Sequence, residues 1–96
     1  MSESKHYHNG VAAMKDGKLD VAMKYFERAI AEDEHNPVYY SERGVLYYHM
    51  GKKEKALDDM NRSVELEPDY SYRYSSRAWI KDAIGDIHGA IEDYKT

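Results

Sequence analysis

The chain has 96 residues, enough for one domain and too few for two. Hydrophobic residues make up 42% and charged residues 33%, a globular balance, and so short a chain has no room for a deep cofactor-holding core. Fourteen Lys and Arg against 18 Asp and Glu leave a net charge of −4, which argues against a general grip on nucleic acid or anionic membrane, and zero cysteines exclude disulfides, thiolate metal sites and a cysteine nucleophile.

The first helix is expected from about Glu3 to Lys15 and the second from Leu19 to about Glu32, with Gly17 between them. A third is expected over Pro37–His49. Asn36 is a good N-cap, Pro37 suits the first turn, and Tyr40, Gly44 and Tyr47 form one stripe. Gly51 ends it, being free to turn left-handed. The fourth helix, Lys53–Leu66, places Ala56, Leu57, Met60, Ser63 and Val64 on its buried face, and Pro68 forces the chain out of it. A fifth is expected over Ser71–Ala83. A sixth starts at Ile87 and runs about ten residues, with Gly89 inside it at a cost of about 1 kcal/mol relative to Ala. No apolar run is long enough to span a bilayer, and the start at Met1 has no apolar signal core.

These helices repeat. At a shift of 34 positions Gly10 falls on Gly44 and Ala78, Gly17 on Gly51 and Gly85, Ala22 on Ala56 and Ala90, and Phe26 on Met60 and Tyr94. The small columns mark where the two helices of a pair cross closely, and Phe26, Met60 and Tyr94 are expected to fill the space beside each crossing. Tyr40, Tyr47 and Tyr74 are expected in the core. A lone hairpin of this kind cannot bury its own apolar stripe, so the pairs must stack into a solenoid.

The pattern resembles the tetratricopeptide repeat family, whose signature is a 34-residue helix–turn–helix with Trp, Leu-Gly, Tyr, Ala, Phe and Pro at fixed offsets. The middle copy matches best, with Tyr40, Gly44, Tyr47, Ala56, Met60 and Pro68. The resemblance implies an all-α, right-handed superhelix of about three repeats, near 3–36, 37–70 and 71–96, the last incomplete and uncapped. It also implies a binding scaffold in which the first helix of each pair lines a concave groove. Projected onto this chain, the inward positions include Tyr7, His8, Val11, Glu42, Val45, Tyr48, His49, Tyr72 and Trp79, which are the expected partner contacts. The places where some co-chaperone members hold an acidic tail with two Lys, two Asn and one Arg fall here on Tyr7, Val11, Glu42, Tyr72 and Ser76. None matches, so a carboxylate clamp is rejected and an apolar or mixed protein or peptide segment is expected instead.

The alternative is a self-association module. Ile80, Ile84, Ile87 and Ile91 would lie partly uncovered at the C-terminal end, where a second copy could cover them and make a homo-oligomer. Other constellations are weak. His6 and His8 diverge on a helix. His8 and His49, with Glu42 nearby, read as structural or solvated rather than as a metal site. Glu32-Asp33-Glu34 and Asp58-Asp59 read as solvated faces, and Arg43 and Arg77, which recur in register, as stacking on tyrosine or bonding a nearby carboxylate. No phosphate loop, nucleophile elbow or catalytic acid pair is found. The expectation is a non-enzyme without metal or cofactor, bound to neither nucleic acid nor membrane. Zero cysteine fits a reducing compartment and would suit a secreted chain as well, and cytoplasm is the expected compartment.

Overall fold

The computed structural model describes residues 4–95. Among these the chain forms six helices and no strand: α1 (Lys5–Lys15), α2 (Leu19–Glu32), α3 (Pro37–His49), α4 (Lys53–Leu66), α5 (Ser71–Ala83) and α6 (Ile87–Tyr94). The expected start at Glu3 and the expected third-repeat limit at Thr96 lie outside the described residues. Ser4 caps α1 by accepting a hydrogen bond from the His6 N–H, and Asn36 caps α3 by accepting one from Val38.

Each pair is closed by the same turn. Gly17, Gly51 and Gly85 have φ of 77°, 79° and 96°, a region that costs residues with a Cβ but not glycine. The next residue then sends its N–H back into the helix, Lys18 to Ala13 at 2.9 Å, Lys52 to Tyr47 at 2.8 Å and Asp86 to Lys81 at 2.7 Å. α1 packs on α2, α3 on α4 and α5 on α6. α2 also packs on α3 and α4 on α5, and this neighbour-to-neighbour stacking makes a helical-repeat solenoid.

The helices cross where the small residues stand. A Cβ on Gly10 would come 2.7 Å from the Phe26 ring, and one on Gly44 would come 3.2 Å from the Met60 methyl and from the Ala56 carbonyl oxygen. Phe26 and Met60 are buried accordingly. In the third copy Ala78 is fully buried as expected of the small column, but Tyr94 departs from expectation: it is 56% exposed instead of filling a core.

The tyrosines also differ from expectation. Tyr39 is the one sealed in the core, its hydroxyl accepting from the Ser4 N–H at 3.0 Å and its ring 5.3 Å from that of Tyr7. Tyr40, Tyr47 and Tyr74 are only half-buried, and cations rather than core side chains lie over their faces. Arg43 lies over Tyr40 and Tyr47, Arg77 over Tyr74, Arg62 over Tyr40 and Lys55 over Tyr47, all between 5.5 and 5.8 Å. Asp59, expected in a solvated run, is buried instead, because Arg43 reaches across from α3 to hold it. Asp58, by contrast, faces water.

Candidate functional site

The first helices of the pairs lie side by side, with α3 touching both α1 and α5. A groove of about 580 Å³ runs along them. Tyr7 enters it from α1, Val38, Glu42 and Val45 from α3, and Tyr72, Ser75, Ser76 and Trp79 from α5. Helical spacing explains the selection: 38, 42 and 45 share one face of α3, and 72, 75, 76 and 79 share one face of α5.

Of the expected contacts, the structure brings Tyr7, Glu42, Val45, Tyr72 and Trp79 together on this surface. Tyr48 stands behind it, its ring 5.3 Å from Trp79 in an edge-on contact that supports the indole. Val11 packs instead against the core built on Ala13, Ala22, Phe26 and Leu46. His8 and His49 are exposed and outside the groove lining, each edge-on to the tyrosine before it. The isoleucines divide. Ile80 is fully buried with Ala56 and Met60, so the expectation that it lies uncovered is corrected: α4 covers it. Ile84 is half-buried against the same cluster, whereas Ile87 and Ile91 are 51% and 48% exposed on α6.

Three groove residues escaped the sequence reading: Met60, Tyr94 and Arg73. Tyr94 and Met60 belong to the large-residue column, whose spacing predicts packing beside the crossings alone. Arg73 falls in register with Tyr39, the sealed tyrosine, and that column was the available signal. Arg73 is itself buried. Its Nε donates to Glu67 Oε1 at 2.7 Å, its Nη1 donates to Ser41 Oγ at 3.4 Å, and its guanidinium lies 5.3 Å from the ring centres of Tyr70 and Tyr72. Ser41 in turn shares a 2.7 Å hydrogen bond with Ser63, so this corner is fixed before any ligand arrives.

Glu42 is different. Burial pushes its carboxyl above the usual range, and the charges of Arg73 and Lys15 offset this only in part. The groove lining is therefore apolar and aromatic, with serine hydroxyls and one partly buried acid, Glu42. Among the described residues, no group of three His, Asp or Glu is placed to hold a metal ion, and no helix is long and apolar enough to cross a membrane.

Known proteins share this repeat. A family profile described as tetratricopeptide repeat matches residues 37–70, and a second of the same description matches residues 6–36. The chain belongs to the tetratricopeptide repeat family. The human serine/threonine-protein phosphatase 5 is 33% identical over 75 residues, 78% of this chain. The heat shock protein sti1 homolog of Schizosaccharomyces pombe is 32% identical over 93 residues, 97% of this chain. The chain spans 15% of the length of each, so what is shared is a repeat module within a longer protein. Among solved structures, the Sgt2 TPR domain from Aspergillus fumigatus superposes with a TM-score of 0.87 at 30% identity, covering 95% of this chain and 60% of that one. The first TPR of Spaghetti (RPAP3), bound to the HSP90 peptide SRMEEVD, gives 0.85 at 29% identity, covering 94% and 71%. Tetratricopeptide repeats act as protein-interaction modules, and the chain is a scaffold of that kind.

Proposed function

We propose that the chain holds a peptide segment of a partner protein in the groove along α3 and α5, without catalysis. Trp79 and Tyr72 are the anchors, and Tyr48 supports Trp79. The observation that carries this reading is their exposure, 44% for Trp79 and 58% for Tyr72, beside a groove with room for side chains. Large rings with few rotors lose little entropy on binding and dominate hot spots. The peptide bound to the first TPR of Spaghetti supports the mode of binding.

The ligand proposed is not an acidic tail. The five clamp places carry Tyr7, Val11, Glu42, Tyr72 and Ser76, with no Lys or Arg among them, and a carboxylate set beside Glu42 would be repelled. Calorimetric titration with the SRMEEVD peptide is expected to give no measurable heat of binding. A partner captured by the parent chain is expected to bind Trp79→Ala more weakly by about 1–3 kcal/mol, with the helical circular dichroism unchanged. Tight binding of SRMEEVD, or equal capture by Trp79→Ala and Tyr72→Ala, would overturn the reading.

A second reading, self-association through α6, is favoured by Ile87 and Ile91, which stand one turn apart and half exposed. Light scattering across concentration tests it. A dimer that dissociates on Ile91→Glu supports this reading, and a monomer at every concentration removes it.

A further inference from the structure

We propose that the groove selects a partner segment by one cationic side chain, Lys or Arg, set against Glu42 and flanked by the aromatic walls. The inference rests on the groove being the peptide site, and it names the chemistry of what binds there. Among the described residues that line the groove two are charged, Glu42 and Arg73. Arg73 is already committed to Glu67, to Ser41 and to the faces of Tyr70 and Tyr72. No hydrogen bond or ion pair joins Glu42 to any described residue.

The groove therefore contains one carboxyl without a close partner, among rings whose faces attract cations. Trp79 and Tyr94 supply exposed rings in the groove lining, while Arg73 already lies over Tyr72 and Tyr7 packs against Phe26 and Tyr39. A bound ammonium or guanidinium would pair the one groove carboxyl that no described residue bonds. A bound carboxylate would add a second buried anion beside the first.

The other charges near Glu42 do not already serve this purpose. Lys15 on α1 is exposed, and Arg43, on α3 itself, is held by Asp59 of α4. Lys15 and Arg73 do act on Glu42 from a distance, yet burial outweighs them and its carboxyl stays above the usual range. Uptake of a cation by the ionised form should therefore release protons in the pH range where the free carboxyl is still partly protonated, and affinity should rise with pH through that range.

The test is selection of random twelve-residue peptides displayed on phage against the parent chain, Glu42→Gln and Trp79→Ala, all checked for folding by circular dichroism. The result expected is enrichment of peptides with a single Lys or Arg among apolar residues by the parent, loss of that enrichment with Glu42→Gln, and few selected peptides of any kind with Trp79→Ala. One enriched peptide is then synthesised with its basic residue or with norleucine in its place. The basic form should bind the parent about tenfold better, and Glu42→Gln less than twofold better. If peptides depend on Trp79 but show no basic residue, or keep one with Glu42→Gln, the cation assignment is overturned while the groove stands. If selected peptides ignore Trp79→Ala, the groove reading itself falls and the cation assignment with it. Enrichment of peptides ending in acidic residues also overturns the assignment.

Discussion

Arg43 holds Asp59 with two hydrogen bonds, Nε to Oδ2 at 2.8 Å and Nη2 to Oδ1 at 2.9 Å, and so ties α3 to α4 through one side-chain fork. The same fork recurs one repeat later, where Arg77 donates to Asp93 from Nε and from Nη2, both at 2.8 Å. Both carboxylates are 7% exposed. The repeat therefore carries a polar tie as well as an apolar crossing, and the tie spans the two helices of one pair. The copies differ in one respect. Lys81 stands in register with Tyr47 and reaches Asp93 at 3.1 Å, whereas the corresponding Tyr47 offers Asp59 no charge.

Removing the arginine is consequently expected to cost more in the middle repeat. Arg43→Ala leaves the Asp59 carboxylate buried and without its donor, for a loss of about 2–3 kcal/mol. Arg77→Ala leaves Asp93 with Lys81, and the loss is expected to be smaller. Urea unfolding of the two variants checks the order. Equal losses would mean that Lys81 does not substitute.

The two carboxyls respond to pH in opposite directions: Asp59 meets heavier burial and the neighbouring Asp58 charge, and Asp93 has Lys81 in addition to its arginine. At Asp59 burial raises the carboxyl pKa more than Arg43 lowers it, so the folded state favours the proton and acidification through that range relieves a strain. At Asp93 burial also pushes upward, but the hydrogen bonds and charges of Arg77 and Lys81 outweigh it and hold the group below the usual range. The Asp93 contribution is present above the unfolded carboxyl value of about 3.9 and is lost as pH falls through the lower folded value. Thermal melts of Asp93→Asn and the parent should therefore converge as pH drops below about 4. A constant gap across that range would contradict the assignment.

Gly10→Ala tests the crossing of α1 and α2. The new methyl would meet the Phe26 ring at 2.7 and 2.8 Å, and an aromatic ring enclosed in a core has little room to yield. The expected loss is about 1–3 kcal/mol, against the gain in helix propensity that the same change gives on an open surface. Phe26→Leu in the Gly10→Ala background should recover part of it. Chemical denaturation of the three variants decides.

Glu42→Gln should stabilise the free chain while weakening what it binds. Above the unfolded carboxyl range the ionised Glu42 opposes folding, because its folded pKa is raised by burial. A neutral amide removes that penalty, so the variant is expected to melt higher at pH 7 and to differ little from the parent at pH 4. A variant that melts lower at pH 7 would show that Glu42 makes a favourable contact in the free protein. Such a trade of stability against binding is common where a site needs an uncomfortable group.

The six helices and their stacking order are legible in the sequence, as are the bounds of α2 to α5, whereas α1 starts at Lys5 and α6 ends at Tyr94, eight residues long instead of about ten. Glycine at the turns, alanine at the crossings and the 34-residue spacing are local steric requirements that repeat wherever the chain repeats. Helical spacing also put Tyr7, Glu42, Val45, Tyr72 and Trp79 on faces that the structure brings to one groove. Which tyrosine is sealed, the burial of Asp59, the cover over Ile80 and the place of Arg73 beside the groove come from packing, since each depends on a neighbour distant in the chain. Helical periodicity fixes the face on which a side chain stands, but not what stands opposite it. Here the opposing groups, Arg43 across from Asp59, Ser4 across from Tyr39 and α4 across from Ile80, settle the outcome.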